Sequence, residues 1–270
     1  MLTKTNYLRQ FALSLLVFAM TVADVAAQAA TFEPTPGQAG KDVVWVPTPP
    51  EVVEKMLDMA RVTPQDIVID LGSGDGRNVI SAAKRGARAI GVEYNPEMVA
   101  LARQKAQEAG VADRATFIEG DMYEADISNA TVLALFLLPS NLDKLAPKFL
   151  ALKPGTRIVN NTFKITNWEA DASETIEGTC GSWCTALLNV VPARVAGTWR
   201  LGSEDLVLTQ EFQMVSGMLG ARSITGRLVG EQITLKTGDS EYKGKVTADR
   251  IEGTATVDGK TQSWTATRQN

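Results

Sequence analysis

Histidine is absent from all 270 residues. That removes a histidine general base and any histidine-ligated zinc or non-haem iron centre. Two cysteines alone do not make a structural zinc site, so no metal is expected. Positive charge is also scarce: 27 Lys and Arg face 31 Asp and Glu, giving a formal net charge of -4, and no basic stripe stands out. This balance disfavours nucleic acid as a partner. The apolar run over residues 11–22 falls short of the roughly 20 residues that cross a bilayer. At 44% hydrophobic, the chain is long enough for one α/β core and a small second domain.

That short apolar run follows Lys4 and Arg9 and precedes Ala27-Gln28-Ala29, an A-x-A cleavage signal. Residues 1–29 therefore read as a secretory signal peptide, cut after Ala29 or alternatively after Ala27. The expected location is exported, periplasmic or secreted. An uncleaved segment would instead anchor the protein in the inner membrane or associate with it transiently.

Beyond a Pro- and Gly-rich stretch at residues 34–40, residues 50–60 carry Val53, Met56, Leu57 and Ala60 on one helical stripe. Strand and helix patterns then alternate: strands at 67–70, 89–93 and 116–119, with helices at 78–85 and 96–109 between them. A nearly continuous apolar strand is expected at 131–138, a helix at 142–150 and a fifth strand at 157–163. Residues 175–176 and 185–191 supply a closing antiparallel hairpin. This alternation implies an α/β fold with a parallel sheet covered on both faces. From residue 194 to 270 the period switches to alternation, with turn signals at Gly230, Gly238-Asp239 and Asp258-Gly259. A small antiparallel β meander or partly closed barrel of about six to eight strands is expected there. The domains are thus 30–193 and 194–270.

The chemistry lies in Asp70-Leu71-Gly72-Ser73-Gly74-Asp75-Gly76-Arg77-Asn78. A strand pattern precedes it and a helix pattern follows, so Gly72, Gly74 and Gly76 form a tight turn that can approach a ligand closely. The helix N-terminus beyond offers unpaired N–H groups to a polar ligand. A dinucleotide fingerprint would require a third glycine where Arg77 stands. The next two strand patterns end at Glu93, positioned to accept from ribose hydroxyls, and just before Asp121-Met122.

The acidic-x-Gly-x-Gly-x-Gly order resembles motif I of the class I S-adenosylmethionine-dependent methyltransferases. Other segments narrow the resemblance: Gly91-Val92-Glu93-Tyr94-Asn95-Pro96, Val99-Ala100-Leu101-Ala102-Arg103, Leu135-Phe136-Leu137-Leu138-Pro139-Ser140, and Gly155-Thr156-Arg157-Ile158-Val159 followed by Phe163 and Trp168. With Trp45-Val46-Pro47-Thr48-Pro49 upstream, they resemble the lysine N-methyltransferases of the mitochondrial adenine nucleotide translocase and ATP synthase c subunit, and their bacterial relatives. The resemblance spans about residues 42–168. It implies a Rossmann-like seven-stranded methyltransferase sheet and S-adenosylmethionine as cofactor. It also implies that Asp70, Gly72, Ser73, Gly74, Gly76, Glu93 and Tyr94 bind that cofactor, with Asp121 taking the adenine amino group and Met122 covering the ring.

Methyl transfer to an amine requires an unprotonated acceptor held in line with the donor. A partly desolvated pocket favours the neutral amine. Trp45, Val46, Pro47 and Thr48, with Leu137, Leu138 and Pro139, are the expected acceptor walls, although Trp45 could equally be a core residue. Asp75 is the one candidate for orienting the sulfonium or the acceptor. The Asn/Asp-Pro-Pro-aromatic motif of nucleobase and glutamine amino-group methyltransferases is missing. A protein lysine is the first acceptor class and a small molecule the second. The competing reading is an exported, non-catalytic binding protein with a methyltransferase-like fold. Cys180 and Cys184 are either a disulfide, as an exported chain with paired cysteines invites, or two free thiols.

Overall fold

The sheet is organised around β1 (Ile67–Leu71), an apolar strand that is buried along nearly its whole length. The computed structural model describes residues 32–178 and 180–269. The expected leader at residues 1–29 lies outside the described residues. Before β1 comes α1 (Pro50–Met59), whose Val52, Val53, Met56 and Leu57 face the core. The chain then alternates through α2 (Arg77–Lys84), β2 (Arg88–Glu93), α3 (Pro96–Glu108), β3 (Ala115–Glu119), β4 (Val132–Leu135), α4 (Pro139–Phe149) and β5 (Arg157–Asn161). The hairpin β6 (Ala172–Thr175) and β7 (Thr185–Val190) completes this part.

These strands form one seven-stranded sheet in the order β3-β2-β1-β4-β5-β7-β6. Pairing is parallel through β5, while β7 runs antiparallel to both β5 and β6. The side chains of α1, α2 and α3 pack on one face. Those of α4 and the segment around Met122, Ile127 and Ala130 pack on the other. Each fully buried Leu, Met or Phe in these layers, such as Met56, Leu133 and Phe149, contributes about 1.5–3 kcal/mol. At the end of the sheet opposite the glycine turn, Asp66 accepts from Thr131 Oγ1 and the Arg157 guanidinium, tying β1, β4 and β5 together.

The direction of strand order reverses between β1 and β4, which opens a crevice beyond their carboxyl ends, where ligands bind in open α/β sheets. The expected fifth to seventh strands and the α/β class agree with this architecture. Their bounds differ in places: β5 ends at Asn161 rather than residue 163, and β6 lies at Ala172–Thr175 rather than 175–176. β4 stops at Leu135 rather than continuing to residue 138, because Phe136, Leu137 and Leu138 leave the ladder to line the crevice.

Beyond the sheet, β8 (Gly197–Leu201), β9 (Glu204–Glu211), β10 (Met214–Leu219), β11 (Arg222–Val229), β12 (Gln232–Thr237), β13 (Ser240–Val246), β14 (Arg250–Val257) and β15 (Lys260–Arg268) form a closed antiparallel barrel. Alternate residues point inward and fill it with apolar side chains, including Trp199, Leu206, Leu235 and Ala266. Closure is complete, so no strand of the barrel presents a free edge. The Arg268 guanidinium sits 4.2 Å from the Trp199 ring centroid, where β15 meets β8. Trp168 stacks on Phe212 at 5.1 Å, and Gln213 donates to the Glu169 carbonyl at 2.6 Å, docking the barrel against the sheet. Among the described residues, no helix is long and apolar enough to cross a membrane.

Candidate active site

The glycine turn between β1 and α2 forms the floor of the crevice. The Gly72 and Ser73 N–H groups donate to the Val92 carbonyl, so the β1–β2 ladder runs on into the turn. Gly74 has φ +52°, and a Cβ there would lie 2.7 Å from Trp45 Nε1. The indole therefore packs directly on the turn backbone. Gly76 has φ +82° and caps α2, with Phe117 Cζ 2.6 Å from where its Cβ would be. The first turn of α2 has no side-chain cap.

Glu93, at the end of β2, reaches across this turn. Its Oε2 accepts the Gly74 N–H and its Oε1 the Asn95 N–H, both at 2.9 Å. Each oxygen keeps a lone pair for a further donor. Asp70 is buried, with Asn78 Nδ2 as its hydrogen-bond donor at 3.1 Å. Burial pushes its carboxyl well above the usual carboxylate range; the Asn78 hydrogen bond opposes this, and the nearby Glu93 and Asp75 carboxylates add to it.

Asp75 is buried as well, but it is paired. Arg77 donates to both of its oxygens at 2.9 and 2.8 Å, and Lys105 to Oδ2 at 2.7 Å. Burial is the largest influence on Asp75 and acts upward; the two cations outweigh it and hold the carboxyl below its ordinary range. Arg77 also donates to the Thr48 carbonyl at 2.6 Å, so Asp75 and Arg77 clamp the N-terminal segment to the turn. The role expected for Asp75, orienting the sulfonium or the acceptor, meets a carboxylate already committed to two cations. Positioning the wall segment is the work its contacts describe.

The remaining expected residues largely converge. Asp70, Gly72, Ser73, Gly74, Asp75, Glu93, Tyr94, Asp121 and Met122 line one cavity, together with Trp45, Val46, Pro47, Thr48, Leu137 and Leu138. Two expected residues do not line it. Gly76 faces Phe117 and Ala102 under the helix cap. Pro139 is exposed at the first position of α4, where its fixed φ starts the helix instead of walling the pocket.

Other lining residues escaped sequence reasoning. Asn78 holds Asp70 and the Ala134 carbonyl. Lys41 pairs with Asp121 and lies 5.0 Å from the Tyr94 ring centroid, so the N-terminal segment spans the crevice. The Lys41 hydrogen bond, with one from the Tyr123 N–H, holds the Asp121 carboxyl below its usual range. An adenine amino group at Asp121 would have to share that carboxylate with Lys41. Phe136, Phe163 and Trp183 add an aromatic wall. Phe136 and Phe163 stood in segments that carry the family resemblance, with no sign that they face the crevice, and Trp183 stood between the two cysteines. Cys180 and Cys184 form a disulfide, which resolves the choice left open by the sequence.

A parallel sheet with a reversed last strand, a glycine turn after its first strand, and acidic side chains after its second and third define a class I methyltransferase domain. The comparisons agree. The family model for the ANTKMT methyltransferase domain matches residues 70–172. A protein-lysine N-methyltransferase of Saccharolobus islandicus is 46% identical over 129 residues, covering 47% of this chain and 80% of the relative. The mouse adenine nucleotide translocase lysine N-methyltransferase is 38% identical over 119 residues, covering 43% of this chain and 52% of the relative. The crystal structure of an RNA methyltransferase from Salinibacter ruber in complex with S-adenosyl-L-homocysteine is 45% identical, with TM-score 0.52, and covers 56% of this chain and 96% of that one. The chain belongs to the ANTKMT methyltransferase family and is an S-adenosylmethionine-dependent methyltransferase. It spans about half the length of the mouse relative, and the barrel lies beyond the matched segment.

Proposed function

We propose that this protein transfers a methyl group from S-adenosylmethionine to an amine, with a protein lysine as acceptor. The observation carrying this reading is that one crevice joins two unlike halves. One half is polar, around the glycine turn, Glu93 and Asp121; the other is apolar and aromatic, around Leu137, Leu138, Phe136, Phe163 and Trp183.

The polar half fits the cofactor. Ser73 Oγ and Asn78 Oδ1 are buried and have no hydrogen-bond partner among the described residues, and both residues line the crevice. A ligand rich in donors and acceptors would satisfy them. Glu93 would take the ribose hydroxyls on its free lone pairs, Asp121 and Met122 would hold the adenine, and Gly72, Ser73 and Gly74 would pass beneath the methionine part. Bound there, S-adenosylmethionine supplies an electrophilic methyl group on a sulfonium.

The apolar half suits the acceptor. A lysine ammonium entering between the aliphatic walls Leu137 and Leu138 loses water, which lowers its pKa and favours the reactive neutral amine. Proton loss is all the acceptor needs, so the missing histidine is no obstacle. The archaeal and mouse relatives named as lysine methyltransferases support this acceptor, as does the net charge of -4 against RNA.

Export of this enzyme through residues 1–29 belongs to the same proposal, with membrane anchoring by an uncleaved leader as its variant. The Cys180–Cys184 disulfide supports it, since such bonds persist in oxidising compartments. The test is methyl transfer from radiolabelled S-adenosylmethionine to lysine-rich protein, small amines and RNA in parallel, with intact-mass detection. Methylated lysine supports the proposal. Label in RNA alone overturns the acceptor assignment, and no transfer to any acceptor favours the non-catalytic binding protein.

A further inference from the structure

The family match ends at residue 172, and a few residues later the β6–β7 hairpin carries a disulfide-closed tip. At the tip of the β6–β7 hairpin, the Ile176 N–H donates to the Cys184 carbonyl at 2.9 Å. The Cys180–Cys184 disulfide closes the loop between them, with the Cα atoms 5.7 Å apart. Inside this loop Trp183 adopts φ +56°, an uncommon conformation for a bulky side chain. The cross-link confines the loop, and the loop holds the indole against the crevice. Although 42% exposed, Trp183 lines the same cavity as the glycine turn.

The indole meets two phenylalanines there. Phe136, just past β4, lies 6.0 Å from Trp183 with the planes inclined at 58°. Phe163, just past β5, stacks on Phe136 at 6.0 Å and 15°. Two rings in contact at that inclination make a corner and leave no parallel slot between them. A planar base needs a flat platform or a slot, whereas a rounded alkylammonium seats in a corner. Aromatic faces attract a cation through their quadrupole and tolerate its loss of water.

We infer that Trp183, pinned by the Cys180–Cys184 disulfide, and Phe136 form an aromatic corner that holds the methylated ammonium of the acceptor. This rests on the amine-acceptor reading above and adds a specificity-determining residue to it. Positive charge passes from sulfonium to acceptor nitrogen during transfer, so a group favouring an alkylammonium stabilises the product side and retains partly methylated acceptors for another round. Trp183 would therefore raise affinity for mono- and dimethylated lysine above that for unmodified lysine.

The experiment uses the disulfide-intact protein saturated with S-adenosylhomocysteine. Nε-trimethyl-lysine amide and its neutral tert-butyl isostere are the probes, read by calorimetry and ligand-observed NMR. The expected result is that the cation binds at least about fivefold more tightly than the isostere. Trp183→Ala should remove that preference, Trp183→Phe should keep most of it, and the Cys180→Ser/Cys184→Ser double variant should weaken it. Affinity for S-adenosylhomocysteine should stay within about twofold in all three variants, because none of the altered residues belongs to the polar half. Equal binding of cation and isostere overturns the inference, as does a Trp183→Ala variant with undiminished preference. Trp183-dependent binding of uridine monophosphate but not of the cation overturns it in favour of base stacking. Failure of S-adenosylhomocysteine to bind the unmodified protein overturns the cofactor site itself, a result separable from the other three.

Discussion

Glu93 reaches back from the end of β2 to accept the Gly74 backbone N–H at 2.9 Å, joining the acidic strand end to the glycine turn. The same carboxylate takes the Asn95 N–H at the start of α3. One side chain therefore fixes the geometry of three elements around the crevice.

Glu93→Ala is expected to weaken S-adenosylhomocysteine binding by about 10–100-fold, the loss of one or two charge-assisted hydrogen bonds. The two backbone donors left without their acceptor would add a modest loss of stability. Calorimetry beside a denaturation curve separates the two effects. Unchanged affinity in a folded variant would remove Glu93 from the cofactor site.

Gly76→Ala should damage the fold rather than the chemistry. The new Cβ would meet Phe117 at 2.6 Å and hold φ +82° at the cap of α2. A loss of about 2–4 kcal/mol is expected from the clash together with left-handed strain. Urea unfolding checks it, and a loss below about 1 kcal/mol would show that Phe117 yields readily.

Asp70 and Asp75 should respond to pH in opposite directions. Burial raises the folded-state pKa of Asp70 above its ordinary 3.8. The unfolded chain thus releases this proton first, and stability is lost as pH rises from that value through the folded one. Asp70→Asn is expected to stabilise the ligand-free protein at pH 7 by about 1–2 kcal/mol, with the gain vanishing below about pH 4. Asp75 is held below its ordinary 3.8, despite burial, by hydrogen bonds from Arg77 and Lys105. Its contribution is present above that value and disappears as pH falls through the folded pKa. Asp75→Asn should therefore cost about 1–3 kcal/mol at pH 7 and progressively less in acid, since both cations are partly exposed. Thermal melts from pH 3 to 8 check both signs.

Phe212→Ala should loosen the barrel from the sheet. The ring stacks on buried Trp168, and its removal is expected to cost about 2 kcal/mol of docking energy. Differential scanning calorimetry should then resolve two transitions. A single transition at the original temperature would show that other contacts, such as the Arg227–Asp171 pair, suffice.

Periodicity made most of this architecture legible. The alternating apolar runs located β1 to β5 and their helices, and alternation beyond residue 194 pointed to an antiparallel meander or partly closed barrel, which the structure closes completely. Function was legible where local sequence alone builds the feature, as in the turn from Gly72 to Gly76 and the acidic residues that close the next two strands. What escaped depends on distant residues meeting. The Lys41–Asp121 pair joins positions 80 residues apart, and nothing local to either predicts the other. Phe136 read as strand because lining a crevice and filling a sheet require the same apolar side chain. Asp75 suggested chemistry as a carboxylate beside the glycines, yet Lys105 comes to it from α3, a full strand and helix later.

The barrel ladder has a kinetic consequence. Every pairing in it joins neighbouring strands along the chain, except that of β15 with β8. This half can form as successive local hairpins, each fast on its own, until one ring closure completes it. Arg268 over Trp199 stands at that seam. An interaction made only at that final closure is expected to act mainly on opening, so Arg268→Ala should accelerate unfolding and leave the folding rate nearly unchanged, which stopped-flow kinetics would check. Arg268 thus governs how long the barrel stays shut, and the hairpins before it govern how quickly it forms.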